Sequence, residues 1–268
     1  LKEFLPNPAQ ERLLRAFSPG AHLLLCSGVG IGKTYGLSFC AARLAWLNPG
    51  VNGLIVSHNL NHVRTVIVPL VTNHLKASGL YAGENKQDRL IFLSHGGFLQ
   101  YGSSDREESL DGKNVGFLVM DEIRHYSKLA HDIALARVRE RKAKYPMILA
   151  CSTPSMGWMY DEYHNDPEKK IIRGSTKENL ANLQEGYFER LKKSLSAEMF
   201  SQYVEGNWVS SAGSIFAQEL GEETFQELEY YPGEEVLIGM DPGVVNPAVL
   251  FAQRLHYCPQ HKQRNCLH

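Results

Sequence analysis

The chain has 268 residues, of which 43% are hydrophobic and 21% charged, with a formal net charge of −1. That length suits one large domain, or one domain plus part of another, and the near-neutral balance excludes a dedicated nucleic-acid coat, so any DNA contact must be local. No apolar run approaches the roughly 20 residues of a membrane helix and no leader pattern precedes the first elements, so the expectation is a soluble chain without a targeting segment; a start at Leu1 points to a piece of a longer protein.

In chain order, Leu5-Pro6-Asn7-Pro8-Ala9-Gln10 is a turn leading into a helix over 11–17. A short apolar strand follows at 22–26, then a glycine-rich loop, then a helix over 33–47. A second strand at 53–57 precedes an amphipathic helix over 61–78. Residues 89–93 and 97–102 form a β-pair, and 115–120 and 146–150 are further buried strands. Short apolar strands alternating with helices predict a mostly parallel α/β sheet covered on both faces. Beyond Ser175 the stretch 180–203 is charged and helical, a boundary falls near 230, and a new strand at 236–240 has a hairpin partner at 248–252. Cys26, Cys40 and Cys151 sit among apolar or small residues, as core cysteines of a reducing compartment do.

Ser27-Gly28-Val29-Gly30-Ile31-Gly32-Lys33-Thr34 follows a strand and opens a helix, the context of a phosphate-binding P-loop. Small residues let successive N–H groups face the phosphates, and the helix N-terminus adds a favourable dipole. Lys33 then reaches the β- and γ-phosphates of ATP, and the Thr34 hydroxyl holds Mg²⁺. Ser27 stands where the usual pattern has glycine. Phe117-Leu118-Val119-Met120-Asp121-Glu122 is an apolar strand ending in two acids: Asp121 to complete the Mg²⁺ shell, Glu122 to polarise the attacking water. Ser152 and Thr153, in Cys151-Ser152-Thr153-Pro154 at the next strand tip, are placed to sense the γ-phosphate. Gln10 offers an amide to the adenine edge, and a helix N-cap turn is an equal reading of Asn7 to Gln10. Cys258, His261, Cys266 and His268 have the spacing C-x₂-H-x₄-C-x-H, a candidate Zn²⁺ knuckle or else a polar hairpin tip.

These motifs, in this order, resemble the large subunit of tailed-phage terminase. Gly28 to Thr34 resembles its Walker A, Phe117 to Glu122 its Walker B, and Ser152-Thr153-Pro154 its coupling motif. Tyr101 to Arg106 with Leu110-Asp111-Gly112 resembles the segment before Walker B, and Tyr203 to Trp208 with Gly213 to Phe216 the linker to its nuclease domain. The resemblance implies a P-loop NTPase over 1–175, a helical linker subdomain over 176–230, and a partial RNase H-like domain over 231–268. It implies an ATPase motor that translocates double-stranded viral DNA into a procapsid and an endonuclease that cuts concatemeric DNA. The partners implied are DNA, a portal protein, a small terminase subunit and further copies in a ring, in the host cytoplasm docked on the procapsid.

In such a ring an arginine completes a neighbour's site. Arg106 matches that role, with Arg137, Arg139 and Arg141, on a predicted basic helix face, as rivals. Asp241, at a strand tip before Pro242-Gly243, resembles the first carboxylate of a nuclease that uses two Mg²⁺ or Mn²⁺ ions. Gly233 to His268 is too short for that whole domain and supplies no second strand-end acid, so the chain is expected to hold only its start. A helicase-type translocase of superfamily 2 shares the Gln motif and the Asp-Glu pair and is the alternative. A nucleotide-binding scaffold without catalysis is the non-enzymatic one.

Overall fold

Residues 5–209, 230–241, 248–258 and 263–267 are described by a computed structural model of the chain. The chain divides into two compact units, Leu1–Ser211 and Ala212–His268. In the first, α1 (Pro8–Arg15) leads to β1 (His22–Ser27), α2 (Lys33–Leu47), β2 (Gly53–Ser57), α3 (Leu60–His62) and α4 (Val68–Ala77). Then come β3 (Tyr81–Asn85), β4 (Leu90–Leu93), β5 (Phe98–Ser103), β6 (Phe117–Asp121), α5 (Lys128–Leu135), β7 (Met147–Ser152), α6 (Trp158–His164) and β8 (Lys169–Gly174). α7 (Tyr187–Ser194) and α8 (Ala197–Phe200) close the unit, ahead of a π-helical turn, Ser201–Glu205.

The eight strands form one sheet in the order β3-β4-β5-β2-β6-β7-β1-β8. From β5 to β8 every pairing is parallel, and only β3, β4 and β5 are joined antiparallel. Strand side chains alternate between faces, so each central strand feeds two cores. Leu23, Leu25, Ile55, Val119 and Leu149 pack with α1, α2 and α4. Leu24, Leu54, Val56, Leu118 and Met120 pack on the opposite face with α5 and α6. The expected mostly parallel, helix-flanked α/β architecture is the one observed, and among the described residues no helix is long and apolar enough to cross a membrane.

Local differences from the sequence reading have physical causes. The helix expected over 61–78 contains a π-turn, Val63–Ile67, where Val68 N–H reaches back to Val63 O. Pro69 follows, and without an N–H it cannot continue the regular ladder, so the extra residue is absorbed there. The stretch 180–203 is broken into a 3₁₀ segment, Thr176–Asn182, then α7, α8 and the second π-turn. β3 and β8 are additional edge strands. The basic helix face expected at Arg137, Arg139 and Arg141 does not exist, because α5 ends at Leu135 and its chain turns into a bridge between Val138 and Val115.

The second unit holds β9 (Glu235–Asp241), β10 (Ala248–Cys258) and β11 (Gln263–Leu267), antiparallel in the order β11-β10-β9.

Candidate functional site

The loop between β1 and α2 is built on glycine for two different reasons. At Gly32, the α2 N-cap, φ is +79°, a left-handed conformation that a side chain disfavours. At Gly28 any Cβ would overlap the Val204 carbonyl oxygen, because the π-turn Ser201–Glu205 lies against the loop. Gly28 N–H donates to Gly174 O (3.0 Å) and Val29 N–H to Tyr203 O (2.6 Å). Among the described residues no side chain caps the N-terminus of α2, so its first N–H groups face outward with the positive end of the helix dipole.

Lys33, the first residue of α2, is buried. Its ammonium donates to Gly28 O (3.1 Å), Ser27 O (3.4 Å) and Thr153 Oγ1 (3.2 Å) and lies 3.7 Å from Glu122 Oε1. Beside it, Thr34 Oγ1 donates to Asp121, 3.1 Å from Oδ1. Asp121 is 1% exposed, and a carboxylate so buried needs donors around it. Cys151 Sγ–H supplies one at 2.8 Å to Oδ1 and His62 Nε2 another at 3.0 Å to Oδ2. Burial holds the Cys151 thiol well above its usual range, so it stays protonated and donating. The hydrogen bond to Asp121 raises the His62 pKa, while burial, His62 and His125 lower that of His58.

Glu122 has φ +52°, a left-handed conformation that costs a non-glycine residue about 1–3 kcal/mol and is concentrated at functional sites. Its buried Oε2 accepts no hydrogen bond among the described residues and lies 3.2 Å from Arg124 Nε, in an ion pair. Arg124 in turn lies over the Tyr203 ring, 5.4 Å from its centroid, and its backbone N–H donates to Ser152 Oγ at 3.2 Å. Three strand-tip motifs therefore converge on one spot, at the carboxyl ends of β1, β6 and β7.

The fold has counterparts among known proteins. A family model for "Terminase large subunit, T4likevirus-type, N-terminal" matches residues 24–222. The chain belongs to this terminase family. No curated protein matches its sequence. Among solved structures, it resembles the large terminase of a thermophilic bacteriophage in complex with ATP-gamma-S, with TM-score 0.65 and 19% identity over 93% of this chain and 64% of that one. The Thermus phage P74-26 large terminase ATPase domain gives TM-score 0.58 and 15% identity over 77% and 95%. The HK97 bacteriophage large terminase gives 0.56 and 13% over 95% and 61%. The terminase chain thus spans 64–65% of the length of the thermophilic phage's protein.

Of the residues singled out in the sequence, Ser27, Gly28, Gly30, Gly32, Lys33, Thr34, Asp121, Glu122, Ser152 and Thr153 share this spot. Ser27 Oγ is buried and has no hydrogen-bond partner among the described residues. Gln10 lies against the loop with both amide ends engaged: Oε1 accepts from Asn7 N–H at 3.1 Å, and Nε2 donates to Gly32 O at 2.9 Å. The N-cap turn of α1 is present, a reciprocal capping box between Asn7 and Gln10. Arg106 is exposed at the start of the 3₁₀ turn Glu107–Leu110. Arg137 and Arg139 bond to Ile133 O and Lys113 O, and Arg141 is exposed.

Asp241 ends β9, its backbone paired with Ala248. In the candidate zinc set, His261 and His268 lie outside the described residues, as does the Gly213–Phe216 stretch; Cys258 pairs with Gln263 and Cys266 with Leu255 in the sheet register. Sequence reasoning missed His62, Arg124 and the Tyr203 carbonyl. Arg124 lies two residues past Glu122, where its charge could have flagged it, but nothing local marks His62.

Proposed function

We propose that this chain is the ATP-hydrolysing motor region of a phage terminase large subunit. The observation that carries the reading is the convergence of Lys33, Thr34, Asp121 and Glu122 at the carboxyl ends of parallel strands. The outward N–H groups of α2 and the Lys33 ammonium bind the β- and γ-phosphates of ATP, which displace the lysine from its carbonyl partners. The Thr34 hydroxyl and Asp121 carboxylate are hard oxygen donors 3.1 Å apart and suit Mg²⁺. When bound there the ion would neutralise charge developing on the phosphate oxygens.

Glu122 orients water through its carboxylate, whose Oε2 accepts no hydrogen bond among the described residues, and takes its proton as the water oxygen attacks the γ-phosphorus and the bond to ADP breaks. Arg124 holds that carboxylate between two cations. Thr153 shares the Lys33 ammonium and Ser152 the Arg124 backbone, so loss of the γ-phosphate alters both contacts. Arg106, which is exposed, is our candidate for the arginine that a neighbouring copy supplies to complete the site in a ring. Residues 1–175 serve as the ATPase domain, 176–230 as the linker and 231–268 as the start of an RNase H-like nuclease domain, with Asp241 its first metal-binding carboxylate. The motor moves double-stranded DNA, with portal and small-subunit partners. The family match favours packaging over a helicase-type translocase.

Steady-state hydrolysis of ATP, with and without double-stranded DNA, tests this directly in the wild type and in Glu122→Gln. Turnover by the wild type, and binding without turnover by the variant, is expected. A wild type that binds no ATP overturns the proposal. Plasmid incubated with this chain and Mn²⁺ is expected to stay uncut.

A further inference from the structure

Four successive carbonyl oxygens of the β1–α2 loop are each met by a side-chain donor. Thr176 Oγ1 donates to Val29 O at 2.7 Å, Asn179 Nδ2 to Gly30 O at 2.7 Å, Asn7 Nδ2 to Ile31 O at 2.7 Å and Gln10 Nε2 to Gly32 O at 2.9 Å. All four residues are buried. They come from two segments far apart in sequence, the start of α1 and the 3₁₀ segment Thr176–Asn182 that follows β8.

The donors are themselves fixed. Asn7 Oδ1 accepts from Gln10 N–H at 3.0 Å, Asn7 Nδ2 also reaches Asn179 Oδ1 at 3.2 Å, and Asn182 Nδ2 donates to the same oxygen at 2.8 Å. A capping box between Ser175 and Glu178 holds the 3₁₀ segment. In a trans peptide the C=O and the following N–H point in opposite directions within one plane. Pinning the carbonyls of Val29, Gly30, Ile31 and Gly32 outward therefore turns the N–H groups of Gly30, Ile31, Gly32 and Lys33 inward. Among the described residues those four N–H groups make no hydrogen bond, in contrast to Gly28 and Val29.

We propose that Thr176 and Asn179, together with Asn7 and Gln10, are positioning residues that clamp the loop carbonyls and so aim its N–H groups at a nucleotide polyphosphate. This rests on the nucleotide reading above and adds that affinity is set partly by the segment entering the linker. Loops rich in glycine are otherwise free to turn their peptides, and each wrongly turned peptide presents an oxygen to a phosphate. The clamp removes that freedom before the ligand arrives, which is how preorganisation raises affinity.

The test is titration of a fluorescent ADP analogue, with kcat and KM for ATP measured alongside. Asn179→Asp keeps the shape but replaces the donor facing Gly30 O with an acceptor. The variant should bind the analogue about 10–100-fold more weakly, as expected for a lost buried hydrogen bond with the partner left unpaired. Its KM should rise in step, while kcat at saturation changes less than about threefold. Thr176→Val should weaken binding in the same way and Thr176→Ser should restore it, which covers the case in which Asn179→Asp fails to fold. Amide exchange across residues 30–33, measured without nucleotide, should quicken in the impaired variants while that of the α2 interior does not. Wild-type affinity and exchange in folded Asn179→Asp and Thr176→Val would falsify the clamp alone. A wild type that binds no analogue removes the nucleotide reading and the proposal together.

Discussion

The middle of the large sheet and its carboxyl-terminal edge are built from the same strands but obey opposite rules. In the middle, β1, β2 and β6 are apolar on both faces and feed two cores, where interchangeable hydrophobes of similar volume suffice. One residue further on, β6 turns from Met120 to the buried carboxylate of Asp121 and then to Glu122 in a left-handed conformation. There the chain accepts buried charge and backbone strain. Such features are retained where the chemistry uses them, so the middle is built for stability and the edge for function.

Substitutions should separate the two regions. The largest effect is expected for Lys33→Ala, with ATP hydrolysis falling by at least about 100-fold as an electrostatic contact to the phosphates is lost, and little change in thermal unfolding. Leu118→Ala is the converse. Fully buried in the core beside α5 and α6, it should cost about 2–5 kcal/mol in denaturant unfolding, with turnover per folded molecule retained. Should Leu118→Ala cut turnover as deeply as Lys33→Ala, the division between middle and edge is wrong.

A third test uses pH. His22 begins β1, and burial, more than the neighbouring Lys169, lowers its pKa from 6.5 to about 4. A base whose folded pKa is depressed stays neutral while its unfolded counterpart takes up a proton. Its stability contribution is therefore present above pH 6.5 and lost as pH falls toward 4, an effect on the order of 3 kcal/mol at most. Urea unfolding from about pH 7 to pH 4 should show a smaller loss in His22→Gln than in the wild type; equal slopes would clear His22. The smallest effect is expected for Ser27→Ala. It deletes a buried hydroxyl with no hydrogen-bond partner among the described residues, so stability should hold or rise by about 1 kcal/mol, with hydrolysis unaffected.

The same contrast explains what could be read from sequence. β1, β2, α2 and the β6 tip were legible because a local pattern and its physical cause coincide: apolar runs, then glycines, then Lys-Thr or Asp-Glu. β8 escaped notice because Lys169, Lys170 and Arg173 flank only two apolar residues, Ile171 and Ile172, as an edge strand beside solvent permits. α5 ends sooner than its basic continuation suggests because Val138 joins Val115 in a bridge, a contact no local propensity encodes. His62, Thr176 and Asn179 gain their meaning from partners far along the chain, so spacing alone does not reveal them. Gln10 carried two readings in the sequence, and the structure adds a third partner, the Gly32 carbonyl.

The short π-turn Ser201–Glu205 has a mechanical consequence. Its Tyr203 carbonyl holds Val29 N–H, its Gln202 amide holds Pro154 O at 2.7 Å, and the Tyr203 ring lies beneath Arg124. One five-residue segment is therefore bolted to three strand tips at once. A shift at the loop, at Arg124 or at Pro154 therefore bears on the same five residues.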